Sequence, residues 1–105
     1  MITLGIDVSK AKIDCCIFPS GLTGKRKTKR FDNAQSGFVK LVKWLTELDV
    51  NLSDTRAVME ATSVYHENLA QFLYDMELTI CIANPARVRA FAKGLSMLNK
   101  TAPLA

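Results

Sequence analysis

The feature that most narrows what this chain can fold into is a change of hydrophobic period part-way along it. Residues 2 to 8 (ITLGIDV) and 12 to 18 (KIDCCIF) are β-favouring runs, separated only by Ser9-Lys10-Ala11. That spacing predicts an antiparallel hairpin. Pro19-Ser20-Gly21 breaks the second run, and Lys25 to Phe31 (KRKTKRF) forms a third candidate strand that is almost wholly basic. Clustered Lys and Arg discourage edge-to-edge pairing, so a solvent-facing edge is the natural place for it. From Ser36 the period lengthens. Phe38, Leu41, Val42, Leu45 and Leu48 recur at helical spacing, which predicts an amphipathic helix over 35 to 48 with Trp44 at the margin of its apolar stripe.

A turn cluster, Asn51-Leu52-Ser53-Asp54, leads into a fourth strand, Arg56 to Glu60, which ends on a carboxylate. Thr62 and Ser63 offer N-cap oxygens to a second helix, with Glu67 near its first turn and Tyr65, Leu69, Phe72, Leu73 and Met76 along one face. Leu78 to Ala83 (LTICIA) is a continuous apolar run, the pattern of a central strand covered on both faces. Asn84-Pro85 then stops that strand and opens a third helix, whose buried stripe is Val88, Phe91, Ala92, Leu95 and Leu98. The order β-β-β-α-β-α-β-α implies an α/β fold with a mixed sheet, antiparallel at one side and parallel at the other, and helices packed against its faces.

At 105 residues with 49% hydrophobic content, the chain suffices for one compact core and is expected to be a single domain over 1–105. Fourteen Lys and Arg against ten Asp and Glu give a net charge of +4, which favours anionic partners such as nucleic acid. Cys15, Cys16 and Cys81 all fall in apolar segments, without the even number or spacing of a disulfide framework, and are expected to be buried, reduced thiols. No basic segment leads into an apolar one after Met1, and no run reaches the roughly 18 apolar residues of a membrane span. The expectation is a cytoplasmic protein with no membrane partner.

Asp7 is the anomaly. It interrupts a run otherwise made for the interior, where an unpaired charge is costly. Glu60 is placed similarly at the end of the fourth strand. If the two strands are neighbours, both carboxylates meet at one edge of the core, and a bridging cation would relieve their repulsion. Magnesium prefers carboxylate oxygens and takes only a few from protein, so strands that end on acids point to metal-assisted phosphodiester chemistry. On spacing alone a second account stands equally. Asp7 would accept hydrogen bonds from the Val8 to Lys10 turn with Lys10 as its ion partner, while Glu60 caps the following helix.

Three segments, GIDVSKAKIDCCIF, VMEATSVYHENLAQFL and IANPARVRAFAKGLSMLNKT, resemble in order and spacing the amino-terminal domain of the DEDD insertion-sequence transposases, the group that includes the pilin-gene invertases. That domain is similar to the Holliday-junction resolvase RuvC, within the ribonuclease H-like fold. The resemblance implies that Asp7 is the first acid of the family tetrad and Glu60 the second, holding Mg2+ for DNA cleavage and rejoining in transposition or inversion. It also implies DNA as substrate, a structured guide RNA and self-association as partners of the intact parent. The pattern breaks at the last two acids. Where the family has KTDxxD, this chain reads Lys100-Thr101-Ala102-Pro103-Leu104-Ala105, so Ala102 and Ala105 stand at both missing aspartates. Neither methyl group can bind a cation, and the chain stops before the last helix of the fold and the family's serine-bearing carboxy-terminal region. The expectation is therefore a fragment, truncated or disabled in its last acids, that is inactive alone.

The cations Lys10, Lys25, Arg26, Lys27, Lys29 and Arg30, with Arg87, Arg89, Lys93 and Lys100, are candidates for phosphate contact, each alternatively a solvated surface charge. His66 either lines the acid site or is an exposed first-turn histidine; Trp44, Phe72 and Phe91 read as core, and Tyr65 as close to the acids. Two other functions compete. An actin-like nucleotide-binding ATPase or kinase also opens strand, Gly-x-Asp, turn, strand, but needs later glycine-rich loops, and only Gly94 follows Gly37. The other is a non-catalytic nucleic-acid-binding module that kept the fold after losing its acids.

Overall fold

The computed structural model describes residues 1–20, 24–61 and 64–83. Five strands form one mixed sheet: β1 (Ile2–Val8), β2 (Lys12–Ile17), β3 (Lys27–Asp32), β4 (Thr55–Glu60) and β5 (Thr79–Ala83). Two helices, α1 (Gln35–Glu47) and α2 (Glu67–Asp75), connect the later strands. Spatial order is β3-β2-β1-β4-β5, with β1 antiparallel to β2, β2 antiparallel to β3, and β1, β4 and β5 mutually parallel. The antiparallel side and the parallel side are arranged as the element order predicts, and the basic β3 is an edge strand.

Strand alternation sorts the side chains. Leu4, Ile6, Val8, Ile13, Cys15, Ile17, Ala57 and Met59 point to one face and are buried there against Phe38, Leu41 and Leu45 of α1 and Leu69 and Leu73 of α2. Each such fully buried aliphatic side chain contributes on the order of 1.5–3 kcal/mol. Phe38 and Phe72 join the two helices, their ring centroids 5.6 Å apart. Both described helices thus occupy the same face; the parallel crossovers β1 to β4 and β4 to β5 run in the same direction across the sheet, and a uniform crossover hand puts their helices on one side.

Both helices also end alike. Asp49 (φ 65°) and Glu77 (φ 74°) take left-handed backbone just past the last turn. In each case the following amide closes back on the helix: Val50 to the Leu45 carbonyl and Leu78 to the Leu73 carbonyl, both 3.1 Å. Val50 and Leu78 are themselves buried, the apolar contact that completes this kind of helix stop.

Other expectations change. The second helix begins at Glu67 with His66 at its N-cap and no side-chain cap, so Tyr65 precedes the helix and is exposed instead of lying on its apolar face. The run Thr79–Ala83 is not a central strand: among the described residues it pairs with β4 alone, and Ile82 is 38% exposed. An apolar run reports burial per residue but not position within the sheet, and the β4–α2–β5 connection carries this strand outward. The cysteines are free, but only Cys15 is fully buried; Cys16 and Cys81 alternate onto the opposite face and are half-buried. The expected third helix, with Phe91, Arg87, Arg89, Lys93 and Lys100, lies outside the described residues, as do Ala102 and Ala105. Among the described residues no helix is long and apolar enough to cross a membrane.

Candidate acidic site

Asp7 escapes the core by alternation. With Leu4, Ile6 and Val8 directed inward, Thr3, Gly5 and Asp7 face the other side of the sheet, where Asp7 is exposed. Glu60 does the same on β4, outward of Met59. The parallel register pairs Ile6 with Met59, so Asp7 and Glu60 are cross-strand neighbours one residue further on. Adjacent strands lie about 4.8 Å apart, which brings two carboxylates within reach of a single cation. The carboxyl ends of β1 and β4 are also where the chain leaves in opposite directions, to β2 on one side and through α2 to β5 on the other. Open α/β sheets hold their ligands at such divergence points.

Both acids line an open cavity of about 810 Å³ whose walls include Gly5, Asp14, Cys16, Thr28, Lys29 and Arg30. Gly5 keeps its floor low, and even an added Cβ there would meet nothing nearer than the Cys16 carbonyl oxygen at 3.9 Å. Asp14 stands directly opposite Asp7 on β2, and Arg30 opposite Asp14 on β3. Glu60, Asp7, Asp14 and Arg30 therefore form a row across four strands. At its far end Arg30 closes on Asp14 through Nε to Oδ1 at 2.6 Å and Nη2 to Oδ2 at 3.3 Å. That hydrogen bond, and then the Asp14 charge, raise the Arg30 pKa above its ordinary value. Lys12 is likewise taken by Asp32, whose carboxyl it holds below the usual range first by hydrogen bonding and then by charge.

Among the described residues no hydrogen bond or ion pair engages Asp7 or Glu60. The purely structural account fails on these residues: the Ser9 hydroxyl, not Asp7, braces the β1–β2 turn against Lys12, and Glu60 lies seven residues before the first residue of α2. Two unpartnered carboxylates remain side by side at a concave surface. Donor chemistry of this kind suits a hard divalent cation that takes one or two protein carboxylates and fills its remaining positions from water or phosphate. Among the described residues no group of three or more acids, histidines or cysteines gathers around one point, because Asp14 is turned toward Arg30.

Of the other residues singled out, Lys10 sits exposed in the β1–β2 turn, Lys25 and Arg26 precede β3, and Lys27, Lys29 and Arg30 lie along it. His66 is half-buried, with Nδ1 enclosed and without a partner among the described residues, and lines a separate cavity of about 300 Å³ beside Tyr74 and Ile82. It does not face the acids. Tyr65 is tied in from a different direction: Asn33 Nδ2 donates to the Ser9 carbonyl at 2.8 Å and to the Tyr65 carbonyl at 3.0 Å, joining the turn after β1 to the segment before α2. Asn33, Asp14 and the Asp14–Arg30 pair were not singled out from sequence. A turn at Ser9 to Ala11 alone would set residue 13 against residue 7; the turn takes in Lys12 as well, pairs Val8 with Ile13, and so brings Asp14 opposite Asp7.

Two carboxylates at the carboxyl ends of central parallel strands, on a mixed sheet with a basic edge strand, characterise this α/β protein. The chain belongs to the transposase family DEDD_Tnp_IS110, whose family model matches residues 4–103. It is 35% identical over 98 residues to the pilin gene-inverting proteins of Moraxella lacunata and of Moraxella bovis. That alignment covers 93% of this chain but only 30% of each relative. Among solved structures the fold is similar to YeaZ from Pseudomonas aeruginosa, with a TM-score of 0.57 at 12% identity over 90% of this chain and 51% of that one.

Proposed function

We propose that this chain is the amino-terminal, RuvC-like domain of a DEDD transposase, of ribonuclease H-like fold, and that Asp7 and Glu60 bind the Mg2+ with which the parent protein cleaves and rejoins DNA. The observation that carries this is the pair of carboxylates, without a partner among the described residues, at adjacent register positions on β1 and β4, in a chain whose family is that of transposases. Relatives named as gene-inverting proteins favour inversion of a DNA segment as the parent reaction.

Within the cavity the chain's own groups divide the work. Asp7 and Glu60 supply anionic oxygen ligands on one wall. Magnesium bound there supplies Lewis-acid polarisation of a phosphate oxygen and neutralises charge on the leaving oxygen. On the opposite wall Asp14 holds the Arg30 guanidinium by two of its N–H groups, leaving others to take a phosphate oxygen in a planar, directional contact. Lys10, Lys25, Arg26, Lys27 and Lys29 add sequence-independent attraction for the backbone. With alanine at 102 and 105 the chain offers two of the four family acids, and a half-built metal site lacks the geometry for catalysis.

Isothermal titration of Mn2+ or Mg2+ into the 105-residue chain tests the site. Weak binding is expected, abolished by Asp7→Asn and by Glu60→Gln while both variants keep the wild-type circular dichroism. Restoring Ala102→Asp and Ala105→Asp within the full-length parent is expected to tighten metal binding and to permit DNA nicking. Metal affinity indifferent to residues 7 and 60 would remove the proposal, and saturable ATP binding that depends on Asp7 would replace it with the nucleotide-dependent alternative.

A further inference from the structure

We infer that the groove between β3 and α1 is a second DNA-binding surface, gripping the sugar–phosphate backbone of duplex that flanks the segment held at the acids; this rests on DNA being the substrate. The groove is a cavity of about 670 Å³, with Lys12, Lys29, Arg30 and Asp32 on the strand side and Lys40, Lys43, Trp44 and Glu47 on the helix side. Lys12 is neutralised by Asp32 and Arg30 by Asp14, whereas among the described residues no acid lies within ion-pair distance of Lys29, Lys40 or Lys43. Five cations thus face two carboxylates, Asp32 and Glu47, around one concavity, and Lys29, Lys40 and Lys43 are in no ion pair among the described residues.

Protection of a sheet edge accounts for lysines on β3. It does not account for Lys40 and Lys43, which stand three apart on one side of α1 and face the same hollow. The floor beneath them is fixed: Trp44 packs on Phe31 with centroids 5.7 Å apart, and the Lys29 ammonium lies 5.8 Å from the Phe31 centroid. Lysines around a packed floor, with no apolar anchor projecting from it, suit a repeating anion read by charge, not an amphipathic peptide or a lipid surface. The groove is also continuous with the acidic cavity, because Lys29 and Arg30 line both. A backbone lying along α1 and β3 crosses β3 and β2 before it arrives at Asp7 and Glu60.

The chain carries a single tryptophan, so Trp44 emission reports on this groove alone. Binding of a fluorescein-labelled DNA duplex is measured by anisotropy between 50 and 200 mM salt in EDTA, which keeps metal at the acids out of the result. Lys40→Gln/Lys43→Gln is expected to weaken binding at every salt concentration and to reduce the slope of log K against log salt by about 2, since each phosphate contact contributes about 0.9. Lys40→Arg/Lys43→Arg is expected to restore both, and unlabelled duplex is expected to change Trp44 emission saturably and salt-sensitively. A slope unchanged in the glutamine variant, no binding of duplex DNA, or tighter lysine-dependent binding of an RNA duplex of equal length would overturn the assignment. Failure of the acids to bind metal would leave these outcomes untouched.

Discussion

Gly37→Ala separates two physical arguments that give opposite signs. Residue 37 lies in the first turn of α1, and on helix propensity alone alanine there gains roughly 0.5–1 kcal/mol over glycine. The structure reverses this. A Cβ at Gly37 would fall 1.9 Å from the Asp32 carbonyl oxygen and under 3.0 Å from two more backbone atoms of Asp32. To reach an ordinary contact of 3.4 Å the helix must retreat by about 1.5 Å from the end of β3, and no flexible side chain is present to yield instead. That retreat loosens Phe38, Leu41 and Leu45, which are buried against the sheet. Overpacking of this kind typically costs 1–3 kcal/mol, leaving a net loss of about 1–2 kcal/mol after the propensity gain. In a urea titration followed by circular dichroism, a loss of that size lowers the midpoint by roughly 0.5–1 M for a small domain with a slope near 1.5–2 kcal/mol/M. Gly5→Ala is the control, because its Cβ would meet only the Cys16 carbonyl at 3.9 Å; a change within about 0.5 kcal/mol is expected. A midpoint for Gly37→Ala equal to or above wild type would refute the close approach of α1 to β3, and with it the shape of the basic groove.

Glu77→Gly is expected to stabilise the chain by about 0.5–1 kcal/mol, since residue 77 holds φ at 74° where a side chain is strained and the closing Leu78 to Leu73 bond is made by backbone; a urea midpoint at or below wild type would contradict it. Burial, and then the neighbouring charges of Asp14 and Cys16, push the Cys15 thiol from 9.0 up to about 12. The unfolded chain therefore ionises first. Stability is unaffected below pH 9 and falls as pH rises toward 12, by about 2 kcal/mol at pH 10.5. Cys15→Ser or Cys15→Ala should lose that alkaline dependence in denaturant titrations at pH 8 and pH 10.5, and retention of the full dependence in either variant would assign it elsewhere.

How far the fold was legible in the sequence depended on whether a local pattern was enough. The hairpin, the basic edge, α1 and the strand ending at Glu60 all follow from period and turn chemistry, and their bounds move by no more than two residues. Two features needed information that a pattern does not carry. The hydroxyls of Thr62 and Ser63 are good caps and predict a helix start there, but the helix opens at Glu67 behind an uncapped His66. Asn33 supplies part of the reason: by bonding to the Tyr65 carbonyl it ties that segment to the turn after β1, a constraint from 32 residues away. The apolar run of β5 was likewise silent on strand order, which is set by crossover connections and not by composition.

The candidate site divides along the same line. Asp7 and Glu60 were conspicuous because each sets a charge where an apolar strand is otherwise expected, and a charge in that setting demands a reason. Asp14 was not, since a carboxylate between Ile13 and Cys15 reads as ordinary outward alternation until the register is known. Register is what gives it meaning. Once Val8 pairs with Ile13, Asp14 must oppose Asp7, and once Ile13 pairs with Phe31, Arg30 must oppose Asp14. The guanidinium then draws Asp14 away from the acid pair, which leaves the Asp7 and Glu60 carboxylates side by side. A one-residue slip between β1 and β2 would send Asp14 into the core and Cys15 into the cavity. The burial of Ile13, Cys15 and Ile17 forbids that slip, so the packing on one face of the sheet fixes the order of charges on the other.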